Sequence, residues 1–334
     1  LLRNKPVRTI SGVAPVAVMT SPFDCPHGRC SYCPGGVQNN SPQSYTGREP
    51  AALRAATNEF DPHRQTSSRL EQLRAIGHRT DKVDLIVMGG TFTSRPEEYQ
   101  EWFVKRCFDA MNGKDSDDLA SAHSSNETAP SRCVGMTVET RPDWFGARQI
   151  DWSMRLGATK VELGVQILDD GVLDEVKRGH RVQEVVDATR RAKDAGLKVC
   201  YHVMPGLPGS TRENDLRSFR LMFDDDRFRP DMLKIYPTLV VKGTELYDRW
   251  QKGEYTPLCE DDGVALVAEM KSMVPPWVRI LRIQRDIPAG LIEAGIRKGH
   301  LRELVAERMA GEGAVCRCIR CMQVGHRDVA APQG

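Results

Sequence analysis

The chain has 334 residues, and its 47 lysines and arginines against 45 aspartates and glutamates give a formal net charge of +2. A nearly neutral chain lacks a general basic field for nucleic acid, so any such contact must come from a local patch. Aromatic residues make up 6% of the sequence, which disfavours a stacking platform for single strands. No run of about 18 apolar residues occurs, so we expect no membrane span.

The sequence begins Leu1-Leu2-Arg3, without an initiator methionine or the apolar core of a signal peptide. We therefore expect an internal fragment of a longer chain. Ten cysteines in a chain of this length without an export signal indicate metal binding in a reducing cytoplasm rather than a disulfide framework. The expected location is cytoplasmic.

Six short apolar runs alternate with helical stretches along the first 240 residues. The runs cover residues 16–20, 84–88, 134–138, 161–165, 199–203 and 232–236. Apolar runs of this length between helices predict buried parallel strands in a repeated βα pattern. Six units are too few to close an eight-stranded barrel, so the predicted fold is α/β with a curved, incomplete barrel.

Helical periodicity and end signals predict the connecting elements. The predicted helices cover residues 48–60, 64–77, 96–111 and 182–195. The stretch 113–132 is rich in Ser, Asp and Asn and predicts a mobile surface loop. After residue 240 we predict a helix over 260–274, a strand over 278–283 and mostly helical structure over 292–309.

Three cysteines fall within nine residues, with the spacing C-x4-C-x2-C: Cys25, Cys30 and Cys33. Thiolates are soft ligands, and three on one short loop can converge on one metal centre. A structural zinc site closes with four ligands, whereas three thiolates on a cubane cluster leave one iron open. Half of a zinc knuckle is the alternative. The apolar run before the loop and the turn Pro34-Gly35-Gly36 after it favour a redox-active iron–sulfur loop.

Cys25, Cys30, Tyr32 and Cys33 resemble the cluster loop of radical S-adenosylmethionine (SAM) enzymes. The longer run 25–47, with Gln43-Ser44-Tyr45-Thr46-Gly47, resembles the catalytic subunit of Elongator, the tRNA carboxymethyluridine synthase, in its archaeal and bacterial single-chain form. Further matches at 86–92, 229–231 and 284–288 extend the resemblance from residue 6 to residue 325. It implies a partial (β/α)6 TIM-like radical SAM barrel over residues 1–285 and a small helical, zinc-binding extension over 286–334.

The resemblance implies a 4Fe-4S cluster on the three loop cysteines, with SAM bound at the open iron. The carboxyl ends of parallel strands build active sites, and the expected SAM contacts lie there. These contacts are Gly89, Gly90, Thr91, Glu139, Gln166, Arg178, His202 and Met204. Arg178 is the candidate for pairing with the SAM carboxylate. His202 could equally be a satisfied core histidine, and an isolated Gly-Gly-Thr turn would be a weak signal.

The implied reaction removes hydrogen from the acetyl methyl of acetyl-CoA with a 5′-deoxyadenosyl radical. The resulting carbon radical adds to C5 of the wobble uridine of tRNA, and thioester hydrolysis leaves a 5-carboxymethyl group. Lys82, which by itself would be interpreted as a surface charge, aligns with a family lysine that contacts acetyl-CoA near the radical site, and a cation suits the coenzyme's phosphates. The resemblance therefore makes Lys82 a catalytic candidate together with the three loop cysteines. An electron donor is also implied, and a homodimer is considered.

The family continues into a C-terminal acetyltransferase-like domain. The sequence after Gly325 is too short to encode such a domain. We therefore expect a fragment, or a variant without that domain, in which SAM cleavage survives while the complete tRNA reaction is in doubt.

A second cysteine group, Cys316, Cys318 and Cys321, has the spacing C-x-C-x2-C and predicts structural zinc. A fourth ligand is then required. The candidates for it are His326, Cys133, Cys259 and His300. Cys107 and Cys200 lie among apolar neighbours and are interpreted as buried thiols.

Basic residues for tRNA are expected on the predicted strand 278–283. Arg279, Arg282 and Arg285 are expected to point to one side of it, with Lys234 and Lys242 nearer the barrel. The alternative is a solvated edge strand, where charges prevent aggregation.

Two other functions stay open. The chain could be a radical SAM enzyme of another substrate class, such as a coproporphyrinogen-type oxidase or a methylthiotransferase. It could also be a tRNA-binding scaffold without full turnover. The segment 43–47 and Lys82 argue against the first of these.

Overall fold

The computed structural model describes residues 9–326, and residues 1–8 and 327–334 lie outside the described part. The chain divides into two compact units. The first comprises Leu1–Gly28, Cys33–Glu162 and Arg191–Leu197. The second comprises Arg29–Tyr32, Leu163–Arg190 and Lys198–Gly334.

The first unit is built on three parallel strands and the helices between them. Its elements are β1 (Ala14–Met19), α1 (Pro50–Thr57), α2 (Pro62–Ala75), β2 (Lys82–Met88), α3 (Glu97–Asn112), α4 (Leu119–Asn126), β3 (Arg132–Thr140) and α5 (Ala147–Arg155). Strand β2 pairs in parallel with β1 and β3, so that Leu85 lies opposite Val16 on one side and Met136 on the other. All three side chains are fully buried, as expected for a parallel sheet covered by helices.

Local sequence signals explain the ends of α2. The side chain of Asp61 accepts a hydrogen bond from the backbone N–H of Arg64, and Pro62 occupies the first turn. Gly77, with a φ of +84°, follows the last helical residues, where a left-handed glycine ends a helix at low cost. The helix packs on β1 and α3.

Strand β4 (Lys160–Gln166) and helix α7 (Val182–Asp194) each have residues in both units. The remaining elements of the second unit are α6 (Asp170–Glu175), β5 (Lys198–Val203), α8 (Arg212–Asp224), β6 (Met232–Ile235), β7 (Val240–Val241), α9 (Glu245–Gln251), α10 (Glu260–Met273), β8 (Arg279–Ile283), β9 (Ile292–Ala294) and α11 (Leu301–Gly311). Strand β6 pairs in parallel with β5 and β8, and β7 pairs in the antiparallel sense with β9. Helix α10 packs against α8 and α11.

The strands β1-β2-β3-β4-β5-β6-β8 follow one another in one seven-stranded sheet. The predicted α/β class with successive parallel strands is confirmed, and the six predicted apolar runs correspond to β1 to β6. The run predicted as a strand at 278–283 adds β8 beside β6.

Two predicted segments are corrected. The stretch 113–132, predicted to be a loop, contains helix α4. The side chain of Asp118 accepts from the N–H of Ser121 at its start, and the Asn126 side chain accepts from the N–H of Cys133 at 2.7 Å at its end. The polar residues that favoured a loop are therefore partly helix caps and anchors.

The segment 292–309, predicted to be mostly helical, begins with strand β9, and its helix starts at Leu301. Pairing with the two-residue strand β7 explains the extended start, and this long-range contact leaves no local periodicity to detect. Across residues 9–326, no helix combines the length and the apolarity that crossing a membrane requires.

Candidate active site and cysteine triad

Two cysteines of the C-x4-C-x2-C loop lie in the first unit, and each sulfur contacts a polar group. The Sγ atom of Cys25 lies 3.4 Å from the hydroxyl of Thr91, which directly follows the Gly89-Gly90 turn. The Sγ atom of Cys33 is buried, accepts a hydrogen bond from the backbone N–H of Ser44 at 3.2 Å and donates to Oε1 of Gln43 at 3.1 Å. Both sulfurs thus have a neighbour that can donate to a thiolate.

Cys30 lies in the second unit and is also buried. The Nη1 atom of Arg178 donates to its Sγ at 3.6 Å, and Nη2 donates to the carbonyl of Gly164 at 2.7 Å. A Cβ atom at Gly164 would lie 2.4 Å from that guanidinium, so glycine makes room for the arginine. The guanidinium can therefore donate a hydrogen bond to this sulfur when it acts as a ligand. The predicted pairing of Arg178 with a SAM carboxylate remains a prediction.

The Gly89-Gly90 turn follows β2 and requires glycine at both positions. The φ angles are +136° and +94°. A Cβ atom on Gly89 would lie 2.1 Å from Oγ1 of Thr20, and one on Gly90 would lie 3.0 Å from Cβ of Gln43. The turn therefore packs closely against the residue that follows β1 and against the loop that contacts Cys33.

Glu139 lies near the end of β3 and is buried in the first unit. The hydroxyl of Tyr45 donates to its Oε2 at 2.7 Å. Tyr45 comes from the same 43–47 segment that contacts Cys33, so this segment also orients the Glu139 carboxylate.

Gln166 ends β4 with a φ of +69°, which is unusual for a residue other than glycine. Its Oε1 atom is buried without a hydrogen-bond partner, and its backbone carbonyl accepts from the N–H of Met204 at 2.8 Å. An unsatisfied acceptor in a strained backbone at a strand end is typical of a ligand contact.

His202 lies on β5 and Met204 follows that strand, both in the second unit. The imidazole of His202 packs edge-on against Tyr236, with ring centroids 5.5 Å apart, and Met204 is buried. Both alternatives for His202, a ligand contact and a core histidine, are compatible with this arrangement.

Lys82 is exposed and begins β2, while the Gly89-Gly90 turn follows the other end of the same strand. Seven residues at the rise of a β-strand separate the two by about 23 Å. Lys82 thus lies at the strand end away from the turn, and direct contact with that end is not supported.

The three arginines expected on one side of a strand are three residues apart, a spacing that a regular strand would place on alternating sides. An irregularity in the β6–β8 pairing compensates, because Arg279 lies opposite Met232 and Arg282 opposite Lys234, two residues of β6 with the same orientation. Arg285 lies beyond the end of β8. The tRNA role of Arg282 and Arg285 stays a prediction.

The second cysteine group follows α11. The Sγ atoms of Cys316, Cys318 and Cys321 all lie within 4.8 Å of one another. Hydrogen bonds from the Cys316 and Cys321 thiols hold the pKa of Cys318 far below its usual value. Cys107 differs from Cys318. It is a buried thiol, as predicted, and burial raises its pKa to about 12. The triad is therefore a set of mutually bonded thiols suited to a shared cation.

The side chain of Arg302 supplies a positive charge to this triad. All three thiols interact electrostatically with Arg302, whose pKa is lowered by burial and by Arg320. The guanidinium of Arg302 also donates to the carbonyl of Ile280 in β8 at 3.4 Å. This positive charge would offset the negative charge that three thiolates would bring to a divalent metal.

A fourth zinc ligand is not identified. Within residues 9–326, the group of ligand atoms that contains the three sulfurs has no fourth member. Cys259 caps α10 and donates to Asp262, His300 caps α11, and the thiol of Cys133 donates to the carbonyl of Gly135. The side chain of His326 lies outside the described part of the structure.

The sequence did not indicate the contacts of Gln43, Tyr45 and Arg302. The first two belong to a segment that supported the family resemblance, which was the available signal for them. Arg302 is one basic residue of a polar helix, and only folding brings it to the triad.

A parallel α/β sheet with a three-cysteine loop after its first strand defines the class. The radical SAM superfamily matches residues 20–222, and the radical SAM C-terminal domain matches residues 230–311. The tRNA uridine(34) acetyltransferase of Methanocaldococcus jannaschii is 54% identical over 329 residues, which are 98% of this chain and 61% of that protein. The corresponding protein of Dehalococcoides mccartyi is 51% identical over 96% of this chain and 69% of its own length.

A solved structure, the archaeal Elp3 of Methanocaldococcus infernus with an N-terminal deletion, is 47% identical with a TM-score of 0.82 and covers 93% of this chain and 65% of that chain. The chain belongs to the radical SAM superfamily and, within it, to the family of the tRNA uridine(34) acetyltransferases and Elongator complex protein 3. It spans about 61% of the length of the first relative above. The predicted partial radical SAM barrel is confirmed by this relationship.

The family implies a 4Fe-4S cluster and SAM. The three loop cysteines fit the cluster, because each sulfur has a neighbouring group able to donate to a thiolate. The buried acceptor of Gln166 fits a ligand that carries hydroxyl donors, as the SAM ribose does.

Proposed function

We propose that this chain is the radical-generating part of an enzyme that uses acetyl-CoA to form 5-carboxymethyluridine at the wobble uridine of tRNA. One observation carries the proposal: in a chain of the radical SAM superfamily, each of the three loop sulfurs has a hydrogen-bond donor beside it. Because the chain spans about 61% of its first relative, activity of the whole enzyme is part of the proposal.

The cysteine loop would hold the cluster through Cys25, Cys30 and Cys33. When bound, the cluster and SAM supply the carbon-centred radical chemistry. Arg178 would donate to the Cys30 sulfur and the N–H of Ser44 to the Cys33 sulfur, and these hydrogen bonds would help to orient the two ligands.

SAM contacts come from residues at the strand ends. The Gly89-Gly90 turn and Thr91 would hold its amino end, and the buried Oε1 of Gln166, which has no partner, would accept from a ribose hydroxyl. Tyr45 holds the carboxylate of Glu139, which also suits a ribose hydroxyl. Met204 would pack on the adenine, Arg178 would contribute charge for the carboxylate, and His202 is the remaining candidate for a SAM contact.

Acetyl-CoA would contact Lys82. The exposed ammonium at the start of β2 supports a contact with the coenzyme's phosphates rather than with its acetyl group. Arg282 and Arg285 would bind tRNA phosphates, and an external donor would supply the electrons that the cluster needs. A homodimer, the division at residues 285 and 286 and a cytoplasmic location remain predictions.

Zinc would bind Cys316, Cys318 and Cys321 in a structural site. Three sulfurs within 4.8 Å of one another and a neighbouring guanidinium support this. His326 is the preferred fourth ligand, because a neutral imidazole adds no further negative charge.

Anaerobic reconstitution with iron and sulfide tests the proposal. The protein is incubated with SAM and dithionite, with or without acetyl-CoA and tRNA carrying an unmodified wobble uridine. We expect 5′-deoxyadenosine in every reaction, more of it when both substrates are present, and a carboxymethylated or acetyl-derived nucleoside on digestion of the tRNA.

The control variant is Cys107→Ala, which removes a buried thiol outside the loop and should keep the product. Absence of 5′-deoxyadenosine from protein with a full cluster would reject the enzymatic function and favour a tRNA-binding scaffold. Turnover that ignores both tRNA and acetyl-CoA would instead favour a radical SAM enzyme of another substrate class.

A further inference from the structure

We propose that Gln43 is a positioning residue that donates a hydrogen bond to the cluster ligand Cys33 and raises the reduction potential of the cluster. The inference rests on the proposed iron–sulfur function of the cysteine loop. It concerns a residue ten positions after Cys33, in a segment with no metal-ligating side chain of its own.

The contact between the two side chains is short and buried. Gln43 is 5% exposed, as is Cys33, and the Cys33 sulfur lies 3.1 Å from Oε1 of Gln43. In the metal-free protein the thiol donates its proton to this oxygen. Within the same loop, the backbone N–H of Ser44 donates to the same sulfur at 3.2 Å.

Metal binding reverses the direction of the first bond. A thiolate bound to iron has no proton and can only accept. The amide oxygen of Gln43 would then face an electron-rich sulfur, which is unfavourable. Half a turn of the side-chain amide exchanges Oε1 and Nε2 without moving the rest of the chain, and Nε2 then donates to the sulfur. A glutamine can make this exchange, whereas a carboxylate at the same position has no hydrogen to offer.

The surrounding loop is built to keep the two donors in place. Ser44 has a φ of +75°, a left-handed conformation that costs an L-residue free energy and that aims its N–H at the sulfur. Cβ of Gln43 faces Gly90, where an added Cβ would lie 3.0 Å away. The Gly89-Gly90 turn therefore fixes the position of Cβ of Gln43. The terminal amide of Gln43 can still rotate, so that either Oε1 or Nε2 faces the sulfur.

Hydrogen bonds to cluster sulfurs shift the reduction potential, because they stabilise the more negative, reduced state. With Gln43 reoriented, Cys33 would receive two N–H donors. We therefore expect the loss of the Gln43 donor to make the cluster harder to reduce, with its ligands unchanged.

The test compares Gln43→Met, which keeps the volume beside Gly90 but cannot donate, with the wild type. The control is Gln38→Met, the same change at an exposed glutamine of the same loop. Iron and sulfide are quantified, and the reduced cluster is followed by EPR during a redox titration. We expect full iron content in all three proteins and a more negative midpoint in Gln43→Met only. At the wild-type midpoint, its ratio of reduced to oxidised cluster should fall several-fold.

A measurement on the wild type avoids any folding defect of the variant. In protein labelled with ¹⁵N-glutamine, pulsed EPR of the reduced cluster should detect a nitrogen coupling from a side-chain amide. An unchanged midpoint in Gln43→Met with a full cluster, or no glutamine coupling in the wild type, would overturn the inference and leave the proposed function intact. A wild-type protein that assembles no cluster would instead reject the proposed function.

Discussion

The two cysteine groups of this chain have the same number of thiols, and the contacts described for them differ. In the loop Cys25–Cys33, each sulfur contacts a residue other than cysteine: a hydroxyl, a guanidinium, or an amide and a backbone N–H. In the triad Cys316–Cys321, the sulfurs contact one another within 4.8 Å. Cysteine spacing indicates a metal in both places, and the neighbours distinguish the two kinds of site.

The difference has a chemical reason. A cluster is larger than one ion, so its ligands are spread apart and their outer sides are open to donors that tune the redox chemistry. A structural zinc ion draws its ligands together and needs charge balance more than tuning. Arg302 beside the triad would provide such balance in a zinc site.

The largest expected effect is on 5′-deoxyadenosine formation, which should depend on the loop Cys25–Cys33 and not on the triad Cys316–Cys321. Cys30→Ala should reduce 5′-deoxyadenosine formation to the level of a protein-free control, because one iron ligand and the partner of Arg178 are lost together. Cys318→Ala should keep most of this activity. The 5′-deoxyadenosine is measured by mass spectrometry. Equal losses of this product in both variants would contradict different roles for the two cysteine groups.

The next effect concerns the turn that adjoins the first group. Gly89→Ala should lower the free energy of unfolding by at least about 2 kcal/mol and abolish SAM binding, because a Cβ atom would collide with Thr20 in a backbone conformation that favours glycine. Gly113→Ala is the matched control, since its φ is also positive, at +71°, but an added Cβ meets no atom within 4 Å. Its cost should be about 1 kcal/mol, with SAM binding unchanged. Urea unfolding and SAM titration measure both quantities.

Zinc removal tests the second group. A chelator that removes zinc from the triad should destabilise the second unit by several kcal/mol while the iron content stays constant. Zinc binding requires deprotonated thiols, so zinc competes better with protons, and its apparent affinity rises, as pH increases. Thermal melts with and without chelator between pH 6 and about pH 8 would measure this. A stability that does not change with chelator would contradict structural zinc.

The smallest expected effect returns to the 43–47 segment. Tyr45→Phe removes one hydrogen bond to the Glu139 carboxylate and should lower the free energy of unfolding by about 1–2 kcal/mol. SAM affinity should fall about five-fold to tenfold while zinc content remains full. Tyr247→Phe in the other unit serves as the control. If both variants bind SAM equally well, Glu139 does not contribute to the SAM site.

Much of this fold could be predicted, because its strands form short apolar runs with at least one buried face. Val16, Leu85 and Met136 are examples, each fully buried in register with the next. Helix α4 could not be predicted in this way, since polar side chains such as Asn126 anchor it rather than an apolar stripe. Strand β9 depends on a partner about fifty residues away in sequence.

The site was partly predictable, because some of its residues belong to sequence motifs. Residues of a motif, such as Cys25 and Gly90, can be identified from residue type and spacing. Residues that act through a neighbour, such as Gln43 on Cys33 or Arg302 at the triad, carry no spacing signal. Lys82 shows a different limitation of motifs. It matches a family motif, but the motif does not predict that Lys82 lies at the end of β2 away from the Gly89-Gly90 turn.

Metal analysis of three proteins tests the central claim most directly. Iron, sulfide and zinc are measured in anaerobically purified wild type, Cys30→Ala and Cys318→Ala. We expect iron to be lost in Cys30→Ala with zinc retained, and zinc to be lost in Cys318→Ala with iron retained. Loss of both metals in either variant, or zinc bound by the loop Cys25–Cys33 in the wild type, would contradict two separate metal sites.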